Sequence, residues 1–218
     1  MNEVKIESAA ERLERNLPIR YNQTRLDEPL RRLHQWILRY YLERGMAPDE
    51  GDPRTVDDWR SGIDRLAAEH IIVVDDSGAI TGAYPFVDEV RGFRLCTLHG
   101  AVNAMCAFDA LAVSSMFGIP VRIESRCRLS GIAIVIEQYR AEIRVSKPDA
   151  PVFAAIDWNA TDGAGSCSTT LCTEMIFIAG EKAAAGWYGM DRENHELFAL
   201  DEAHALISRV FVPLMQAR

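Results

Sequence analysis

Between residues 26 and 41 the apolar side chains Leu30, Leu33, Ile37, Tyr40 and Tyr41 recur every three or four positions. That spacing puts them on one face of an amphipathic helix. Residues 45–55 are rich in Gly, Pro and Asp and read as a loop. A second helix is expected to start after Thr55 or Val56, where Asp57 and Asp58 suit its positive end. It carries Trp59, Ile63 and Leu66 inward. The pattern then changes period. Residues 70–74 and 79–86 form two short β-prone runs around Asp75-Asp76-Ser77-Gly78, which predicts a hairpin. Helices followed by a hairpin make residues 1–86 a winged-helix-like module.

A different texture begins at residue 87. Residues 101–117 are mostly small and apolar, the pattern of a buried helix stopped by Gly118 and Pro120. Strands are expected at 121–125 and 132–138, on either side of Leu129-Ser130-Gly131, and again at 151–156. A Gly/Ser loop at 162–168 leads into an apolar, strand-like run at 171–179, and helices at 181–188 and 201–215 close the chain. The fold class is α+β: an N-terminal helical module over 1–86, then a mixed α+β core over 87–218.

Composition narrows the range of functions. With 48% hydrophobic residues the chain can build a sizeable core without a disulfide or metal staple. No apolar run approaches the ~18–20 residues of a membrane span, and residues 1–15 lack the apolar stretch of a secretion signal. The expected location is the cytoplasm, with no membrane partner. The net charge is -8, and residues 1–85 hold 12 Lys/Arg against 16 Asp/Glu. That balance argues against a nucleic-acid partner, because such binding rests on cations that neutralise phosphates. The five cysteines, Cys96, Cys106, Cys127, Cys167 and Cys172, are expected as free thiols. Only Cys167 and Cys172 fall within the Cys-x₂₋₄-Cys spacing of structural zinc, and no second such pair accompanies them. The five histidines show no metalloprotease pattern, and no phosphate loop or nucleophile elbow occurs.

Cys106 and Asp109 carry the most chemical interest. Three residues apart in the expected helix, they share a face, and a carboxyl group among apolar neighbours is costly unless it has a task or a partner. Spacing alone leaves two readings open: a reactive pair, or a packed thiol beside an acid that satisfies backbone donors. The wider pattern adds weight to the first. Asn103-Ala104-Met105-Cys106-Ala107-Phe108-Asp109-Ala110-Leu111 is followed by Ser125-Arg126-Cys127, by Ser130-Gly131, and later by Cys172 in Leu171-Cys172-Thr173-Glu174-Met175. From about Arg94 to the C-terminus this resembles the organomercurial (alkylmercury) lyase family, which also places a winged-helix-like module before its catalytic core.

The resemblance implies an enzyme that cleaves carbon–mercury bonds by protonolysis, with no resident cofactor. Cys106 and Cys172 correspond to the two thiolates that bind mercury, as substrate and as product, and Asp109 to the group that transfers the proton. Cys127 matches a cysteine regarded as structural. Cys96 and Cys167 have no counterpart, and Cys167 is expected to be incidental. The implied partners are an organomercurial small molecule, and mercuric reductase or low-molecular-weight thiols that remove the product. Met105 stands where the family commonly has an aromatic residue, and Thr173 and Glu174 replace thiol and imidazole side chains. These departures keep open a relative that acts on or binds another soft-metal or carbon–heteroatom compound. A winged-helix regulator is the further alternative.

Overall fold

The computed structural model describes residues 2–49, 58–162 and 167–216. The expected start of the second helix, and the middle of the Gly/Ser loop, lie outside the described residues. Four helices come first: α1 (Glu3–Asn16), α2 (Ile19–Arg25), α3 (Glu28–Arg44) and α4 (Trp59–Ala68). Helix α3 runs as its periodicity predicts. The Asp27 carboxylate accepts the Leu30 N–H at its start, and Gly45 ends it at φ 75°, a conformation glycine adopts freely. Asp58 caps α4 in the same way, and Ile63 and Leu66 are buried while Trp59 is only half-buried.

The expected hairpin forms from β1 (Ile72–Val74) and β2 (Ile80–Ala83), but its second arm ends at Ala83, where the chain turns back through Tyr84-Pro85 and pairs antiparallel with β2 as β3 (Phe86–Val87). Next come β4 (Arg94–Thr97) and β5 (Gly100–Ala104), then helix α5 (Ala107–Phe117). The strands β6 (Pro120–Arg126), β7 (Ala133–Tyr139) and β8 (Glu142–Lys147) complete an eight-stranded antiparallel sheet ordered β1-β2-β3-β5-β4-β6-β7-β8. Its hydrogen bonding runs without a break across the expected boundary at residues 86 and 87. A second sheet has β9 (Val152–Asp157) at its centre, flanked by β10 (Met175–Ala179) and β11 (His195–Ala199). Helix α6 (Glu181–Met190) connects the last two strands, and α7 (Leu200–Phe211) follows β11.

The helices-then-sheet order expected from the sequence is the order observed. Three local readings are corrected. Residues 101–117 are not one helix: 101–104 belong to β5, and the helix begins only at Ala107. The strand-like run at 171–179 starts with a 3-10 turn, Leu171–Glu174, before β10. Strands β8 and β11 were not expected at all.

Helix α5 is the core of the molecule. It is apolar on every side, so no face of it prefers water, and the fold encloses it. Strands β5, β6 and β7 pack on it from the large sheet, β10 from the small sheet, and α7 from the C-terminal part. Helix α1 is docked on α7: Lys5 pairs with Glu202 at 3.2 Å, and Arg209 pairs with Glu3 and Glu7. Among the described residues no helix is long and apolar enough to cross a membrane.

Candidate active site

The turn between β5 and α5 places Cys106. Strand β5 ends at Ala104, held opposite Phe86 of β3, and the Met105 N–H donates to the Pro85 carbonyl. Cys106 then takes an extended conformation (φ −153°, ψ 179°) as the N-cap of α5, and its Sγ accepts the Asp109 N–H at 3.3 Å. Cys106 is therefore not inside a helix beside Asp109. It does the work of a serine or aspartate cap, with sulfur in place of oxygen. Asp109 lies in the first turn of the helix, so its carboxyl group turns back towards the same sulfur.

The second half of the site comes from two consecutive 3-10 turns, Cys167–Thr169 and Leu171–Glu174. Two groups from the region before β4 pin the first turn. The Ser168 N–H donates to the buried Tyr84 hydroxyl at 2.9 Å, and Arg91 Nη1 donates to the Ser168 carbonyl at 2.5 Å. Cys172 is thereby delivered to α5. The Cys106 sulfur, the Cys172 sulfur and a carboxylate oxygen of Asp109 all lie within 4.8 Å of one another. Met175 Sδ approaches Cys106 Sγ at 4.0 Å, so a thioether joins the soft lining. All three polar groups are buried, each about 1% exposed.

That burial sets their protonation. Burial pushes the Cys106 thiol up to about 12, and the neighbouring Asp109 carboxyl adds to the shift against an opposing hydrogen bond from Cys172. Hydrogen bonding with Cys106 and Cys167, and then burial, hold the Cys172 thiol well above its ordinary value. Burial also raises Asp109 to about 7, while the Cys106 thiol and the Arg91 charge pull the other way. Its Oδ2 has no hydrogen-bond partner. The site thus holds two protonated thiols and a carboxyl group that gains and loses a proton near neutrality.

A groove of about 1000 Å³ leads from the surface to Cys172. Met105, Cys127 and Thr173 are among its lining, and Arg91, Arg94, Arg126 and Arg128 stand along it, in contrast with the net negative chain. Cys127 lies at the turn after β6. Burial works to raise its thiol, yet the Ala179 N–H at 3.3 Å, the Ser130 side chain and the N–H groups of Ser130 and Leu129 outweigh it and hold the thiol below its ordinary value.

The structure brings together all three residues singled out in the sequence. It also brings in Cys167, which was expected to be incidental: its sulfur is 3.5 Å from that of Cys172. Cys96 is half-buried on β4, outside this cluster. Tyr84 and Arg91 were missed. Neither lies in a recognisable motif, and each reaches the site only through a contact about 80 positions along the chain.

Comparison with known proteins identifies the family. Residues 89–212, more than half of the chain, match the family model for alkylmercury lyase. A curated alkylmercury lyase from Streptomyces lividans is 26% identical over 166 residues, covering 70% of this chain and 71% of that protein. Among solved structures, the mercury-bound form of MerB2 superposes with a TM-score of 0.64 at 17% identity, covering 90% of this chain and 96% of that one.

Proposed function

The chain belongs to the alkylmercury lyase family, enzymes that cleave carbon–mercury bonds, and from that premise we propose that Cys106, Cys172 and Asp109 carry the reaction by protonolysis. The observation behind the assignment is the convergence of two buried thiols and one buried carboxyl group within 4.8 Å at the end of an open groove. Mercury is soft and prefers sulfur to oxygen or nitrogen ligands, and the ligand form of a cysteine is the thiolate.

An organomercurial cation enters the groove carrying an exchangeable ligand. One thiol, Cys106, displaces that ligand and loses its proton with it. Asp109, as carboxylate, accepts the proton of the second thiol as the Cys172 sulfur bonds to mercury. Two thiolate donors raise electron density on the metal and weaken its bond to carbon. Asp109 then delivers its proton to that carbon, and the electron pair of the carbon–mercury bond becomes the new carbon–hydrogen bond. The products are a hydrocarbon and a mercuric ion bridging Cys106 and Cys172. No cofactor takes part. Low-molecular-weight thiols, or a mercuric reductase, remove the ion.

High thiol pKa values suit this scheme, because the protons must stay on sulfur until mercury displaces them. A carboxyl group near 7 suits it equally, since it must both accept and release a proton. The test is hydrocarbon release from an organomercurial in excess thiol, compared for wild type, Cys106→Ser, Cys172→Ser and Asp109→Ala. Each variant is expected to lose turnover by about a hundredfold or more. Undiminished turnover in any one of them removes that residue from the scheme.

A further inference from the structure

Cys167 has no task in the reaction as written, yet it lies directly against Cys172. The two sulfurs are 3.5 Å apart, within hydrogen-bonding reach. Cys167 is not part of the mutually close trio of Cys106, Asp109 and Cys172. It is also the least enclosed of these thiols, 9% exposed against 1% for the other two. Its placement is built into the backbone. The Thr170 N–H donates to the Cys167 carbonyl at 3.3 Å and the Thr173 N–H to the Thr170 carbonyl at 3.1 Å, so the two turns form one compact unit. Tyr84 and Arg91 hold that unit through Ser168. Cys172 thus has a thiol on each side, Cys106 from α5 and Cys167 from its own turn.

We propose that Cys167 and Cys172 form a second dithiol site, which takes the mercuric ion from the Cys106–Cys172 pair once the carbon–mercury bond is broken. The inference rests on the assignment of Cys172 as a mercury ligand. The step is a thiol exchange on the metal, with no change of oxidation state. Cys167 sulfur bonds to mercury, the bond from mercury to Cys106 breaks, and the Cys167 proton passes to the Cys106 sulfur. Cys172 stays bound throughout. The exchange restores Cys106 to its protonated state beside Asp109 and leaves mercury partly on the more accessible sulfur, from which an external thiol must take it before Cys172 can serve again. Soft-metal preference supplies no barrier to it, since one thiolate replaces another.

The experiment binds mercury without the reaction. Cys106→Ser and Cys106→Ser/Cys167→Ser proteins are mixed with less than one equivalent of mercuric chloride, and the sulfur ligands of the ion are counted by X-ray absorption. Affinity is then measured in competition with glutathione. Cys106→Ser is expected to hold mercury through two sulfurs, and the added Cys167→Ser change to remove one sulfur and weaken binding by about tenfold or more. A Cys106→Ser/Cys167→Ala protein, with thermal unfolding recorded for all three, separates ligand loss from misfolding. Equal affinity and equal sulfur count in the single and double variants overturn the proposal. Failure of the lyase scheme looks different: wild type would release no hydrocarbon, whatever the sulfur count in these variants.

Discussion

Cys106 and Cys127 are equally hidden from solvent, each about 1% exposed, and each accepts backbone N–H groups at a turn. Their chemistry nevertheless diverges. At Cys127 several donors surround one sulfur, and together they overcome burial and hold the thiol below its ordinary value. At Cys106 a single N–H is set against burial and a neighbouring carboxyl group, and the thiol keeps its proton. Surface exposure alone therefore does not set a cysteine's titration; the depth of its burial, the donors around the sulfur and the neighbouring charge act together. The difference has a use. A proton to be delivered to carbon has to be held at the site beforehand, and the region around α5 provides for this with two thiols raised well above their ordinary value beside a carboxyl group near 7.

Substitution tests that contrast most sharply. Cys106→Ser is expected to lower hydrocarbon release by on the order of a thousandfold, because serine offers no soft ligand. Cys127→Ser keeps an acceptor for the Ala179 N–H and is expected to cost less than about tenfold in the same assay. Equal losses would erase the distinction between the two thiols.

A smaller effect concerns stability. The folded Asp109 value of about 7 lies above its ordinary 3.8, so the unfolded chain releases this proton at lower pH than the folded one. The native state is then favoured most below about pH 4, and that contribution is lost as pH rises from 3.8 towards 7. Asp109→Asn is accordingly expected to gain stability over wild type across that interval, by at most about 4 kcal/mol, and to gain no more above it. Denaturant unfolding at pH 4, 6 and 8 checks this, and a difference independent of pH contradicts it. Smallest of all is Arg91→Ala. Removing the cation that opposes the rise at Asp109 should move the pH profile of hydrocarbon release upward by less than about one unit. A downward shift, or none, would disconnect Arg91 from the carboxyl group.

Much of this was legible in the chain, and the failures have physical reasons. Helix α3 was clear because its apolar stripe and its caps agree. The pair Cys106 and Asp109 was also clear, but its geometry was not: Gly100 to Ala104 is too small-featured to declare a strand, and only pairing with β4 across a tight turn and with Phe86 and Val87 of β3 makes it one. Strands β8 and β11 hid for a related reason. Glu142, Arg144 and Lys147 in one, and His195 and Glu196 in the other, mask edge strands with charge and polarity. Cys167 was expected to be incidental because it has no counterpart in the family pattern and lies in a Gly/Ser loop. Two 3-10 turns in succession, tied down by Tyr84 and Arg91, fold the interval from Cys167 to Cys172 back on itself.

The enclosure of α5 has a consequence for how the protein is made. Strand β10 and helix α7, two of the surfaces that cover it, are encoded 58 or more residues after its last position, Phe117. A ribosome that has just released residues 107–117 therefore presents an oily helix whose leading cysteine has neither its second thiol nor its shelter. During that interval the nascent chain is open to aggregation and to capture of stray mercury by Cys106 alone. Completion of the C-terminal third is what turns a vulnerable thiol into a guarded one.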